Sequence, residues 1–152
     1  MTLIAATPED HDVIDGLWRL PRNAQWIEPP EDGEIARSID DRLAFLWRAD
    51  GAVTGCAVLM TWVPQVFGLS AIVSVVPGQG GPFLRAILGE VFGPLNGHRI
   101  GFDVTADNAR AIRLYEGLGF QREGVIRECW KRPDGDWADC HLMSLLAREW
   151  RP

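Results

Sequence analysis

The spacing of apolar residues changes period several times along this chain, and the changes mark out its elements. Thr2 to Ala6 predicts a short first strand. Thr7-Pro8-Glu9-Asp10 then supplies a helix start, with a capping hydroxyl, proline at the first helical position and acids in the first turn, and the helix runs to about Leu20. Pro21 to Gly33 holds three prolines and predicts a loop, followed by a short helix over Glu34 to Asp41. From Leu43 the pattern turns to apolar runs rich in β-branched and aromatic residues. Leu43 to Arg48 and Val53 to Trp62 flank Asp50-Gly51, a hairpin signal. Pro64 to Gly68 is a turn, and Leu69 to Val76 is the next strand.

Phe83, Leu84, Ile87, Leu88 and Val91 recur at three- and four-residue steps, the stripe of a helix packed on a sheet and ended near Gly93-Pro94. Arg99 to Val104 is a strand. Asn108 to Leu118 is a helix closed by Gly119, and Gln121 to Lys131 and Asp136 to Leu146 are long strands joined by Pro133-Asp134-Gly135. The order β, α, α, β, β, β, α, β, α, β, β predicts one α/β domain over residues 1–152 built on a single mixed sheet. No repeat or linker interrupts it.

Composition narrows the function classes. A net charge of −6 with no cluster of lysine or arginine argues against nucleic acid and leaves room for a cationic partner. The first residues lack a signal-peptide pattern and no run of about 18 apolar residues occurs, so the expectation is a cytoplasmic protein away from membranes. Cys56, Cys129 and Cys140 show no CxxC spacing and each lies in a strand-like stretch, the pattern of reduced core thiols with no metal role. Seven tryptophans are many for this length, and Trp26, Trp130 and Trp137 sit outside the clear core runs, where they are candidates for the wall of a pocket.

The turn Pro77-Gly78-Gln79-Gly80-Gly81-Pro82 joins a strand to a helix. Small residues there let backbone amides approach a ligand, and the helix N-terminus adds a positive dipole end, so the turn suits a pyrophosphate. Downstream, the segment from Asp107 to Phe120, with Asn108, Ala111, Tyr115 and then Gly119-Phe120, resembles the GNAT superfamily of N-acetyltransferases. The likeness extends through Gln121 to Glu128 and takes in everything from Leu43 onward, whereas the first forty residues share only the family's β–α–α order. It implies a mixed, mostly antiparallel sheet with a splayed strand pair and flanking helices.

The resemblance also implies an activity and a site. The activity is transfer of an acetyl group from acetyl-CoA to a primary amine by direct attack in a ternary complex, with no metal. By analogy Tyr115, the one tyrosine in the chain, protonates the leaving thiolate, and Asn108 contacts the cofactor or its water while capping its helix. The pyrophosphate falls to Gly78, Gln79, Gly80 and Gly81. In one register Gly78-Gln79-Gly80 forms the family's G-x-G and Val75 replaces its leading polar residue; in the other Gln79 is that polar residue and Pro82 approaches the second glycine. Amides of Val73, Ser74 and Val75, where the strand splays, are candidates for the oxyanion. Glu28, Glu31, Glu34, His98 and His141 are open choices for the base, with Glu31, Glu34 and His141 nearest the expected acceptor side.

The closing stretch Trp137 to Leu146 looks like the subgroup that acetylates ribosomal-protein N-termini, which names a protein N-terminus as one acceptor; a polyamine-like or aminoglycoside-like amine is another. A catalytically silent acyl-CoA-binding module is the competing class, and the chain is expected as monomer or homodimer.

Overall fold

The computed structural model describes residues 1–152. Seven strands form one sheet: β1 (Thr2–Ala5), β2 (Ala44–Ala49), β3 (Ala52–Val63), β4 (Val66–Ser74), β5 (Arg99–Thr105), β6 (Gln121–Lys131) and β7 (Trp137–Leu146). Four helices flank it: α1 (His11–Trp18), α2 (Glu34–Asp40), α3 (Gly80–Phe92) and α4 (Ala109–Gly117). The predicted order of elements holds throughout. None of the helices is long and apolar enough to cross a membrane.

Three boundaries differ from the sequence reading. The first helix stops at Trp18, and its opening turn Pro8–Asp10 is 3-10. β4 begins at Val66 rather than Leu69, because Val63 already faces Val66 across a tight turn in which Gln65 takes φ +65°. α3 starts at Gly80, inside the glycine run, once Gly78 has turned the chain at φ +82°.

The strand order is β1-β2-β3-β4-β5-β7-β6. Every neighbouring pair is antiparallel except β4 and β5, which run parallel and are paired only from Val66–Gly68 against Arg99–Gly101. Two features end that pairing. Opposite β3, the register passes from Leu59↔Leu69 to Val58↔Ala71, which leaves Ser70 as the extra residue of a bulge, and a bulge bends and twists its strand. Trp62 then lies across the two strands at the last pair, Gly68 and Gly101: a Cβ on Gly68 would sit 2.7 Å from the indole Nε1, and one on Gly101 3.4 Å from the ring. Beyond this point β4 and β5 diverge as a fork.

The sheet buries both faces. One carries α3 and α4, with Phe83, Leu84, Ile87, Leu88 and Val91 of α3 fully enclosed against Phe45, Ala57, Leu59, Ile100, Met143 and Leu145. Each such side chain contributes about 1.5–3 kcal/mol by burial. The other face carries α1 and α2, whose Ile14, Trp18, Ile35 and Ile39 cover Leu46, Cys56, Val58, Ala71 and Val73. The bulge at Ser70 decides this partition: Phe67 and Leu69 belong to the α3 side, whereas Ala71 and Val73 belong to the α1 side. A straight strand would have kept all four on one face.

Candidate functional site

At the open end of the fork, the chain leaves β4 through Val75 and Val76 and enters α3. The amides of Gly80 and Gly81 open the helix without backbone partners, as the first turn of any helix must. The Leu114 side chain of α4 lies against both glycines, 3.6 Å from where each Cβ would be, so this turn and the helix bearing Tyr115 are in direct contact. The Gln79 side chain is turned away, its Oε1 accepting a hydrogen bond from Thr54 Oγ1 at 2.9 Å. Its backbone amide donates to Val76 O at 3.4 Å, so the Gln79 amide, unlike those of Gly80 and Gly81, is already engaged within the turn.

The β4 amides need a correction. Val75 N donates to Thr54 O at 2.8 Å, which takes it out of the set available to an oxyanion. Because amides alternate in direction along a strand, Val73 N points to β3 as well, opposite Cys56, while Ile72 N and Ser74 N point into the open gap. Of the three expected donors, only Ser74 turns its amide into the gap, where the Ile72 amide lies as well.

Asn108 caps α4, its Oδ1 accepting from Ala111 N at 3.2 Å. Tyr115 follows on the buried side of the helix, edge-on to Phe102 (ring centroids 4.5 Å apart) and Phe120 (5.8 Å). Burial pushes its phenol up to about 12. A phenol held neutral in this way is a proton donor at pH 7. The side-chain polar atoms sealed from solvent without a partner are Trp47 Nε1 and Thr105 Oγ1; the Tyr115 hydroxyl is not among them.

On the opposite side of the fork lies a cavity of about 700 Å³. Phe102, whose ring touches Tyr115, is part of its lining and so links the two sides. Trp18, Trp26, Trp62 and Trp130 wall it, and five carboxylates, Glu28, Glu31, Glu34, Asp41 and Asp103, face Arg37 as the one cation in the lining. The long loop before α2 is held in place by Trp18 Nε1, which donates to Glu28 O at 2.7 Å, and Glu34 Oε2 accepts from Glu31 N at 3.0 Å. At the far wall Arg132 lies 5.8 Å from the Trp26 ring centre and 5.9 Å from that of Trp130. It also pairs with Asp107 at 2.6 Å, and that guanidinium holds the Asp107 carboxyl below its usual range.

Glu28, Glu31 and Glu34 therefore meet in one cavity, with Trp26 and Trp130 beside them. The two histidines do not. His98 is exposed at the start of β5, and His141 stands opposite Val104 and Val125, on the face of β7 away from the cavity lining. Trp137 is 57% exposed and stacks under Lys131 instead of lining the pocket. The expectation that all three thiols are core groups also fails: Cys56 and Cys140 are buried, but Cys129 is exposed. Sequence reasoning missed Trp18, Trp62 and Asp103. The usable signal was the strand-interior glycine at Gly68 and again at Gly101, since such glycines mark close approach of another group.

No family model matches the chain. An uncharacterised N-acetyltransferase, p20, of Bacillus licheniformis is 25% identical over 99% of this chain and 94% of its own length. A mycothiol acetyltransferase of Frankia casuarinae is 30% identical over 80% of this chain, which spans 43% of that protein. Among solved structures, spermidine N-acetyltransferase from Vibrio cholerae in complex with CoA and spermine superposes with a TM-score of 0.82 at 24% identity, covering 97% of this chain and 96% of that one. The ribosomal-protein-S18-alanine N-acetyltransferase of Escherichia coli gives 0.75 at 23% identity, over 96% and 93%. Polyamine and protein-N-terminal enzymes are both among the similar structures, and the subgroup suggested by Trp137 to Leu146 is not singled out. What all of them share with the forked sheet and the Asn108–Phe120 segment is the fold of the GNAT N-acetyltransferases, to which this chain is similar over nearly its whole length.

Proposed function

We propose that the chain moves an acetyl group from acetyl-CoA to a cationic primary amine by direct attack, with donor and acceptor bound on opposite sides of the β4/β5 fork. The observation that carries this reading is the fork itself. It joins a glycine-rich helix start on one side to an acidic, tryptophan-walled cavity on the other, through a gap lined by unpaired β4 amides.

On the donor side, the free amides of Gly80 and Gly81 at the N-terminus of α3 receive the pyrophosphate. The pantetheine arm then runs along the open edge of β4, where Ile72 N and Ser74 N are aimed at the thioester oxygen and at the oxyanion that forms from it. On the acceptor side an amine arrives protonated at pH 7 and must lose a proton before it attacks. Glu28, Glu31, Glu34 and Asp41 stabilise the arriving cation, and the tryptophan rings add cation–π attraction. Among these carboxylates Glu34, half-buried and oriented by the Glu31 amide, is the best placed to take the proton directly or through water. When the tetrahedral intermediate collapses, the carbon–sulfur bond breaks and Tyr115 gives its proton to the thiolate.

An acceptor with more than one positive charge, such as a polyamine, fits these four carboxylates better than a single N-terminal amine does. The test is acetyl transfer from acetyl-CoA across mono-, di- and polyamines and short peptides, with Tyr115→Phe alongside. Turnover that rises with acceptor charge and collapses in the variant is expected. Cofactor binding without turnover of any amine would leave a silent binding module and sink the proposal.

A further inference from the structure

Two thiols and a carboxylate that acetyl transfer leaves without a task converge at one end of the cavity. Asp103 projects from β5, Cys140 from β7 and Cys129 from β6, and one ligand atom of each lies within 4.8 Å of the others. The strands place them there. Cys140 faces Thr105 on one side and Ile126 on the other, and between Ile126 and Trp130 the β6 register slips through a bulge. In that bulge Glu128 takes φ +47° and its amide is held by Asp139 Oδ1 at 2.8 Å, which returns Cys129 toward Cys140. All three residues line the same cavity.

Two further observations point to a ligand. The Asp103 carboxylate has no arginine, lysine or histidine partner, although it stands beside two thiols. Thr105 is 2% exposed and lines the cavity as the cross-strand neighbour of Cys140, and its Oγ1 is sealed from solvent with only the Asp107 carboxylate beside it, without a well-formed bond. A hydroxyl in that position can donate to a thiolate or to a water held at the site. In a tetrahedral zinc site, bonds of about 2.0–2.3 Å set donor atoms roughly 3.5–3.8 Å apart. The three donor atoms, within 4.8 Å of one another, stand about 1 Å beyond that spacing at most.

We propose that Asp103, Cys129 and Cys140 form a three-ligand site for a thiophilic divalent cation, with the fourth coordination position open to the cavity. Binding makes two metal–sulfur bonds and one metal–oxygen bond and releases the two thiol protons to solvent, without any change of oxidation state. The site does not depend on the acetyl-transfer reading, because its occupancy is measured directly.

The probe is cobalt(II), titrated anaerobically into the reduced, metal-free protein and then displaced by zinc. The expected result is one equivalent bound, a sulfur-to-cobalt charge-transfer band in the near ultraviolet and visible bands of tetrahedral cobalt. Cys129→Ser, at an exposed position, is expected to weaken binding at least 100-fold and to reduce the charge-transfer band. Asp103→Asn is expected to cost roughly 10–100-fold, and Thr105→Val about tenfold with the spectrum kept. Thermal melting of each variant confirms that it is folded. Cobalt that binds without the sulfur band, or affinity unchanged in both Cys129→Ser and Asp103→Asn, overturns the site.

Discussion

The two faces of the sheet are finished in opposite ways, although the same strands build both. Toward α3 and α4, β5 presents Ile100, Phe102 and Val104 and β7 presents Met143 and Leu145, all buried in one continuous core. Toward α1 and α2, the neighbouring positions are Gly101, Asp103 and Thr105 on β5 and Cys140 on β7, and no helix covers them. The main apolar cluster on that face ends at β4, a small separate one of Trp130, Ala138 and Cys140 stands at the far side, and the cavity lies between them. Stability is therefore concentrated on one face and the recognition groups on the other, with Tyr115 and Phe102 at the seam.

The sharpest break of that comparison is at the seam. Tyr115→Phe removes one hydroxyl and no apolar surface. The expected outcome is a loss in kcat of about 10³-fold, roughly 4 kcal/mol of transition-state stabilisation, within the range for a general acid. Its urea midpoint should stay close to wild type. If activity survives, the phenol is a packing group and the proton comes from elsewhere. Next in size is Ile87→Ala on the closed face, where the residue is fully enclosed. Urea unfolding should show a loss of about 3 kcal/mol, with KM for the amine unchanged in the protein that remains folded. On the open face the reverse is expected. Glu34→Gln should lower kcat by about 10²-fold and raise KM for a polyamine by about fivefold, the KM effect shrinking with added salt, and leave the unfolding midpoint nearly unmoved. Equal effects of Ile87→Ala and Glu34→Gln on both readouts would erase the distinction between the faces.

The closed face was legible in the sequence and the open face was not, and the difference is physical. Phe83, Leu84, Ile87, Leu88 and Val91 announce a helix on a sheet because burial imposes a local period. The Asn108–Phe120 segment is likewise contiguous, so its resemblance carried both the fold and the position of Tyr115. The cavity has no such period. Its carboxylates come from a proline-rich loop, from α2 and from β5, and only the tertiary fold joins Glu28 to Asp103. The bulge at Ser70 hides in plain alternation: Leu69, Ala71 and Val73 look like one face of one strand, and the register slip sends Leu69 to the opposite side from the other two. The same slip is why Val73 and Val75 direct their amides to β3. The pairing of Cys129 with Cys140 depends on a second slip, in β6, that spacing does not reveal.

The smallest expected effect asks whether the polar finish of the open half contributes to stability at all. Arg99, at the foot of β5, holds Glu123 of β6 through a two-pronged ion pair, and with the Ser144 hydroxyl it pulls that carboxyl down to about 2. A carboxyl depressed in the folded state adds stability at pH values above its unfolded pKa near 4.5, and the gain is lost as pH falls from there toward 2. Glu123 is about a third exposed, so solvent screening reduces its worth to less than about 1 kcal/mol. Glu123→Gln should therefore lower the urea midpoint slightly at pH 7, while most of the difference from wild type should be lost by pH 2.5. A difference that persists unchanged at pH 2.5 would assign the effect to packing at the β6 edge instead of charge. In that case the open face, like the closed one, would be held by contact alone, and its charged groups would serve the ligand only.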